Sequence, residues 1–183
     1  MGELDPERRF EEIYMTQYPA VLSYVRRRTR SPDDAADAIA ETFTTAWRRL
    51  AHVPAGEETR LWLYGVARRV LANQHRGEAR RTALAERLRS EMATWTDPVE
   101  DRDNDAVRTA FQRLSSDDRE LLALSGWEGL RPSEIATVLG CSGGALRIRL
   151  HRARKRLAKE LDAVGLDLAR YGSRATALSE VKS

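Results

Sequence analysis

Cationic side chains concentrate in the segment RPSEIATVLGCSGGALRIRLHRARKRL, residues 131–157, and indicate a surface that binds anions rather than one that catalyses a reaction. Residues 131–160 carry eight basic and two acidic side chains, a net charge of +6. The guanidinium group of arginine bonds phosphate oxygens and can donate two hydrogen bonds to the edge of one guanine. The chemistry that this segment predicts is recognition of DNA.

The spacing within the same segment predicts a helix-turn-helix. Pro132 and Ser133 open a short helix, Gly140 suits the left-handed conformation that ends it, and Ser142 can cap a second helix. The apolar stripe of the second helix recurs at steps of four, three and four residues: Leu146, Leu150, Ala153 and Leu157. In this motif the second helix enters the major groove.

The opposite face of the second helix supplies the candidate DNA contacts. The predicted base readers are Arg147, Ile148 and His151, because only the N-terminal part of such a helix normally reaches the bases. Arg149, Arg152 and the later cations, including Arg154 and Arg156, are better placed for phosphates. The alternative interpretation is a basic helix that only complements its own dipole.

A second basic block makes that alternative weaker. Residues 59–89 carry eight basic and two acidic side chains, again a net charge of +6, whereas residues 90–130 carry four and ten, a net charge of −6. Of the 31 basic residues, 28 are arginine. Two such blocks in a chain of 183 residues favour two surfaces for nucleic acid.

The elements that position these residues are predicted to be helices throughout. Apolar residues at three- and four-residue steps predict helices at about 7–28, 32–50 and 60–76, with Pro19 expected to kink the first. Ser31-Pro32 marks the start of the second helix, and residues 52–60 form a loop. A further helical unit begins near Ala106, with a cap at Ser115-Ser116. The predicted fold class is all-α: two small helical domains joined by a flexible linker.

Composition excludes several classes of function. Cys141 is the single cysteine, which fits a reducing cytoplasm, and three histidines at His52, His75 and His151 show no metal-site spacing. No apolar run is long enough for a secretory signal or a membrane span, so membrane insertion is not expected. The sequence has no phosphate-binding glycine loop and no nucleophile motif, so neither a cofactor nor an enzyme activity is expected.

Three segments in fixed order carry a resemblance to a known family: SPDDAADAIAETFTTAWRRL (31–50), LWLYGVARRVLANQHR (61–76) and residues 131–157. Over about residues 8–160 the chain resembles the extracytoplasmic-function (ECF) sigma factors of the sigma-70 family. The resemblance implies a region 2 domain at 7–76, a linker at 77–105, a region 4 helix-turn-helix domain at 106–160 and a tail at 161–183 of unknown role. It implies that the chain binds core RNA polymerase, directs it to promoters and assists their melting.

The resemblance also implies roles for individual residues. The helix at 32–50 would dock on the clamp helices of the polymerase β′ subunit, with a further contact expected to the β subunit. Its acidic stripe at steps of three and four suits basic partner residues, whereas for Phe43 a position in the core is favoured. The implied polymerase-binding residues are Asp34, Asp37, Glu41, Phe43 and Trp47.

In the family, the loop now at 52–60 receives an unstacked base of the nontemplate strand. The following helix would contact the minus-ten element with cationic and polar groups beside aromatic rings, as single-stranded DNA binding favours. The implied minus-ten residues are Arg60, Trp62, Arg68, Arg69, Asn73 and Arg76; the minus-thirty-five residues are Ser142, Arg147, Ile148, Arg149, His151, Arg152 and Arg154. Trp62 could anchor the core or face DNA.

The expected partners are core RNA polymerase, promoter DNA in duplex and single-stranded form, and an anti-sigma protein that occludes the binding faces. A stand-alone helix-turn-helix regulator is the alternative, and it explains residues 106–160 equally well. It leaves unexplained the acidic helix followed by the aromatic and cationic helix at 31–76. A symmetrical footprint on a palindromic site without polymerase would favour it.

Overall fold

The computed structural model describes residues 5–29, 31–89 and 102–164, and for residues 75–89 and 102–106 it describes the backbone alone. Within these ranges the regular structure is helical and no strand occurs, which confirms the predicted all-α class. The helices are α1 (Pro6–Arg26), α2 (Pro32–Arg48), α3 (Glu58–Arg89), α4 (Arg102–Gln112), α5 (Ser116–Gly126), α6 (Pro132–Leu139) and α7 (Gly143–Ala163), and a 3-10 turn spans Leu50–His52.

The chain divides into two compact units, Met1–Trp95 and Thr96–Ser183. The first contains α1 to α3 and the second contains α4 to α7. The predicted domain boundaries at 76 and 106 and the flexible character of residues 77–105 stay predictions. Most of the expected tail, from residue 165 onward, lies outside the described residues.

The first unit is a bundle in which each of its three helices packs against the other two. The Ser31 hydroxyl accepts the Asp34 backbone N–H at 3.1 Å, and Pro32 begins α2, as the sequence predicts. Small residues on α2 (Ala35, Ala38 and Ala46) are buried, so neighbouring helices can approach its backbone closely. Between α1 and α3, the buried rings of Tyr24 and Tyr64 stack with centroids 4.7 Å apart.

Helix α1 runs through Pro19 without a break, and Val21, Tyr24 and Val25 beyond the proline are buried. The kink expected at Pro19 stays a prediction. One detail of the first unit differs from expectation. Helix α3 extends to Arg89 rather than ending near residue 76. Residues 78–89 consist mostly of Ala, Leu, Glu and Arg, all good helix formers, and the single Gly77 costs only about 1 kcal/mol.

In the second unit, α7 packs against each of the other three helices. The Ser115 hydroxyl accepts the Asp118 N–H at 3.2 Å and caps α5, which confirms the cap predicted at this position. The buried apolar core of the unit consists mainly of Leu114, Leu121, Leu124, Leu130, Ile135, Val138, Leu146, Leu150 and Ala153. This core holds α6 and α7 in a fixed relation, which is what the helix-turn-helix requires.

Candidate nucleic-acid interface and docking surface

The turn between α6 and α7 has the geometry that the sequence predicts. Gly140 adopts φ 64° and ψ 40°, the left-handed conformation, and the Cys141 N–H closes the helix end by donating to the Ala136 carbonyl at 3.0 Å. The Ser142 hydroxyl accepts the Ala145 N–H at 3.3 Å and so begins α7. Ser142 therefore serves as a helix cap, and it is exposed beside the face that would meet DNA.

The first turns of α7 separate a buried face from an exposed one. Leu146 and Leu150 are buried, whereas Arg147, Ile148 and His151 are exposed. Ile148 exposes 55% of its surface, which is unusual for an isoleucine and leaves it free to make an apolar contact. The structure thus brings the three predicted base readers together on one exposed surface.

The predicted phosphate contacts along α7 are not equivalent. Arg152 is exposed, whereas Arg149 is half-buried and its guanidinium lies 3.9 Å from the Asp117 carboxylate. Burial lowers the pKa of the Arg154 guanidinium from its ordinary value, but an arginine stays charged at neutral pH. All three can present positive charge to a phosphate.

Arg156 makes an ion pair within its own unit. Its Nη1 atom lies 2.6 Å from Oδ2 of Asp118, a residue that is only 8% exposed. The pair joins α7 to the first turn of α5, while the Arg156 side chain stays 55% exposed, so a phosphate contact by Arg156 stays a prediction. No sequence pattern signals a partner 38 residues away.

The acidic stripe on α2 is exposed over most of its length. Asp37 and Glu41 lie on the surface one turn apart. Asp34 is half-buried, and its Oδ2 accepts the Ser31 hydroxyl proton at 2.6 Å, so part of its hydrogen-bonding capacity serves the start of α2. Asp37 and Glu41 are the carboxylates that this surface offers most freely to a basic partner.

The two aromatic residues predicted for polymerase binding lie in different environments. Phe43 is 4% exposed and its ring lies 4.8 Å from that of Tyr14, so it is a core residue and is not available on the docking face. Trp47 is 45% exposed, with its ring edge-to-face with Phe10 at 5.2 Å. Phe43 therefore lies in the core of the first unit, and Trp47 lies on its surface.

The predicted minus-ten residues fall on α3. Trp62, Arg69 and Asn73 follow one another at steps of seven and four residues and therefore share one face of the helix. Arg69 and Asn73 are exposed, Trp62 is half-buried, and the Arg69 Nε donates to the Gly65 carbonyl at 3.0 Å. Trp62 can thus anchor the helix and still present one side to a base.

Two of the other predicted residues, Arg60 and Arg68, do not join that face. Arg68 is half-buried beside it, and Arg60 is half-buried in the first turn of α3. The side chain of Arg76 lies outside the described residues. Tyr64, two residues after Trp62, is buried against Tyr24 and is not available for stacking on DNA.

Within the described part of the chain, no group of three or more His, Cys, Asp or Glu residues is placed to hold a metal ion. None of the helices described is long and apolar enough to cross a membrane. The charged surfaces on α2, α3 and α7 are the candidate functional features of the described residues.

The arrangement defines a two-unit helical protein of the transcription-factor class, and comparison with known proteins agrees. Residues 13–81 match the family model described as Sigma-70 region 2, and residues 104–157 match Sigma-70, region 4. The ECF RNA polymerase sigma factor SigD of Mycobacterium bovis is 30% identical over 166 residues, covering 84% of this chain and 77% of SigD.

A second relative and a solved structure agree with this match. The RNA polymerase sigma factor CarQ of Myxococcus xanthus is 29% identical, covering 88% of this chain and 94% of CarQ. The structure of CnrH in complex with the cytosolic domain of CnrY gives a TM-score of 0.59 at 25% identity, covering 86% of this chain and 90% of CnrH. The chain belongs to the sigma-70 family and is an RNA polymerase sigma factor of the ECF group. This result sets aside the stand-alone regulator.

Proposed function

We propose that the chain binds core RNA polymerase through α2, engages the unpaired minus-ten strand through α3 and the loop before it, and reads the minus-thirty-five element through α7. The observation that carries this proposal is that exposed acidic and exposed basic side chains lie on different helices. Exposed carboxylates and Trp47 lie on α2 of the first unit, and exposed cations follow the capped turn into α7 of the second. Acidic and basic surfaces on one chain suit a protein partner and DNA at the same time.

On the first unit, Asp37 and Glu41 would pair with basic residues of the polymerase, and Trp47 would add apolar contact beside them. Such a contact combines an exposed aromatic anchor with charges that orient the partner. On α3, Trp62 would stack on a base while Arg69 and Asn73 bind the backbone and base edges.

On the second unit, Arg147, Ile148 and His151 would contact base edges in the major groove. Arg149, Arg152 and Arg154 would contact phosphates, which adds affinity that falls as salt rises. The Ser142 backbone and hydroxyl lie at the N-terminus of α7, where a phosphate is also favoured.

Promoter opening by this arrangement requires only differential binding by the chain's own residues. The second unit would bind duplex DNA, and the first would bind the unpaired strand better than the paired one. The equilibrium between closed and open promoter DNA would therefore shift toward the open form. The chain would act without hydrolysing a nucleotide, as a binding protein rather than an enzyme, and in the cytoplasm, where RNA polymerase works.

A separate anti-sigma protein is the expected regulator. CnrH, at 25% identity, is solved in complex with the cytosolic domain of CnrY, and a protein that covers the exposed faces of α2 or α7 would similarly block polymerase or DNA. Such a protein is expected to compete with core polymerase for the chain, and titration of the two against each other measures that competition.

The test of the polymerase contact is binding of the full chain to core RNA polymerase, followed by run-off transcription. Asp37→Arg with Glu41→Arg should abolish stable binding, since the substitutions reverse the charge of the exposed stripe. Glu11→Arg with Glu12→Arg is the matched control, because these two carboxylates are also exposed but lie on α1. Wild-type binding by the α2 variant, or equal loss in both variants, would contradict the assignment.

A further inference from the structure

The loop between the 3-10 turn and α3 is fixed at its first residue by a side chain from α1. Val53 is 2% exposed, and its backbone N–H donates to the Leu50 carbonyl at 3.1 Å. The carbonyl of Val53 accepts a hydrogen bond from Nη2 of Arg9 at 2.6 Å. Arg9 stands 44 residues earlier in the chain, so this bond ties the loop to another helix rather than to its own neighbours.

The next carbonyl of the loop is held from the other side. The hydroxyl of Thr59, a residue 6% exposed in the first turn of α3, donates to the Pro54 carbonyl at 2.7 Å. The Thr59 N–H donates to the Gly56 carbonyl at 3.2 Å, and Gly56 adopts φ 68°. Two successive carbonyls are thus fixed by donors on α1 and α3, while Ala55 to Glu57 stay exposed at the tip.

These contacts restrain the backbone of the loop at Val53, Pro54 and Gly56. A hydrogen bond from a charged donor is stronger than one between neutral groups, and the Arg9 guanidinium is half-buried where it makes this bond. A loop that is already ordered loses less conformational freedom on binding. It also adapts less readily to a ligand of the wrong shape, so its rigidity contributes to discrimination.

We infer that Arg9 and Thr59 are positioning residues for base selection: they fix residues 53–57 so that the loop accepts one base of the unpaired strand in preference to the others. The inference rests on the proposed function, in which this loop receives that base. Neither residue needs to contact DNA, because each acts through a backbone carbonyl of the loop.

The experiment uses holoenzyme made from the full chain and core RNA polymerase, on a promoter identified by its run-off transcript. Fork-junction DNA carrying each of the four bases at each unpaired minus-ten position measures the preference ratio between bases. Arg9→Met removes the donor and keeps most of the stem, and Arg8→Met removes the same charge from an exposed neighbour. Thr59→Val removes the hydroxyl with little change in shape, whereas Thr59→Ser keeps it.

The preference ratio should fall by roughly threefold to tenfold in Arg9→Met and Thr59→Val, the range expected for loss of one net hydrogen bond. It should stay at the wild-type value in Arg8→Met and Thr59→Ser. Thermal unfolding checks that each variant is folded. If Arg9→Met does not fold, Arg9→Lys, which keeps a charged donor but not the planar fork, should give an intermediate ratio.

The other outcomes separate this inference from the proposed function. An unchanged preference ratio in both Arg9→Met and Thr59→Val would overturn the inference and leave the proposed function standing. Equal weakening for all four bases would also overturn it, because that result indicates only a general loss of binding. A wild-type holoenzyme without any base preference at these positions would overturn the proposed role of the loop and the inference with it.

Discussion

Helices α3 and α7 both carry a cationic surface, but they use their other residues differently. In α7 the buried residues are aliphatic or small and lie on one stripe, opposite exposed Arg147, Ile148 and His151. In α3 more than half of residues 61–71 are buried, and the aromatic Tyr64 is among them. An exposed arginine face can therefore be predicted from sequence, whereas an aromatic residue beside it can serve the core, the ligand or both.

Helix α2 carries a buried and an exposed aromatic residue within a single turn. Phe43 and Trp47 are four residues apart, yet one is 4% exposed and the other 45%. The helical period places them on neighbouring positions, and only the packing of Tyr14 and Tyr18 over Phe43 distinguishes them. Substituting each ring in turn tests whether the buried aromatic residue stabilises the fold and the exposed one binds a partner.

The largest effect is expected at Phe43. Phe43→Ala should lower the free energy of unfolding by about 3–5 kcal/mol, since it removes a buried aromatic ring and leaves a cavity. Trp47→Ala should cost clearly less stability and should instead weaken binding to core polymerase. Urea unfolding and a polymerase-binding assay on the same two variants measure both effects; a larger stability loss at Trp47 would contradict the contrast.

The next effect concerns the two kinds of cation on α7. Arg147→Ala should reduce discrimination at one base position by about 1–3 kcal/mol, because it removes a contact to a base edge. Arg154→Ala should weaken binding to all sequences and reduce the salt slope by about 1, as loss of one phosphate contact does. Promoter variants titrated at several salt concentrations separate the two, and equal, sequence-blind losses from both would refute the assignment.

The helix-turn-helix could be predicted almost residue by residue, because each part has a local cause. Gly140 permits the left-handed turn, Ser142 supplies a cap, and the apolar stripe obeys the helical period. The ends of the elements and the long-range contacts could not be predicted. Helix α3 continues past the expected boundary because nothing in residues 78–89 stops it, and the pairs Arg9–Val53 and Arg156–Asp118 depend on how helices meet.

The ion pair of Arg156 with Asp118 is one of the long-range contacts that the sequence does not predict, and its contribution to stability can be measured. Arg156→Ala should lower the free energy of unfolding by about 1–2 kcal/mol, because a mostly buried Asp118 carboxylate loses its charged partner. The loss is limited because about half of the Arg156 side chain is exposed and water screens its charge. Lys155→Ala removes the same charge from an exposed neighbour and should cost less stability. Equal losses of stability would mean that the ion pair contributes nothing specific.

The smallest effect is expected at Asp117, whose carboxylate lies 3.9 Å from the Arg149 guanidinium; the Asp117 side chain is 72% exposed and that of Arg149 is 42% exposed. Asp117→Asn should change the free energy of unfolding by less than about 0.5 kcal/mol, as exposed pairs do. It should nevertheless raise DNA affinity slightly at low salt, because the Asp117 carboxylate no longer competes with a DNA phosphate for the Arg149 guanidinium.

Asp162→Asn makes the same change in net charge at another exposed position and is the control. A rise in affinity confined to Asp117→Asn would show that the acidic first turn of α5 lowers the affinity of α7 for DNA. Equal rises in both variants would attribute the effect to net charge alone, and Arg149 would then count as a free phosphate contact like Arg152.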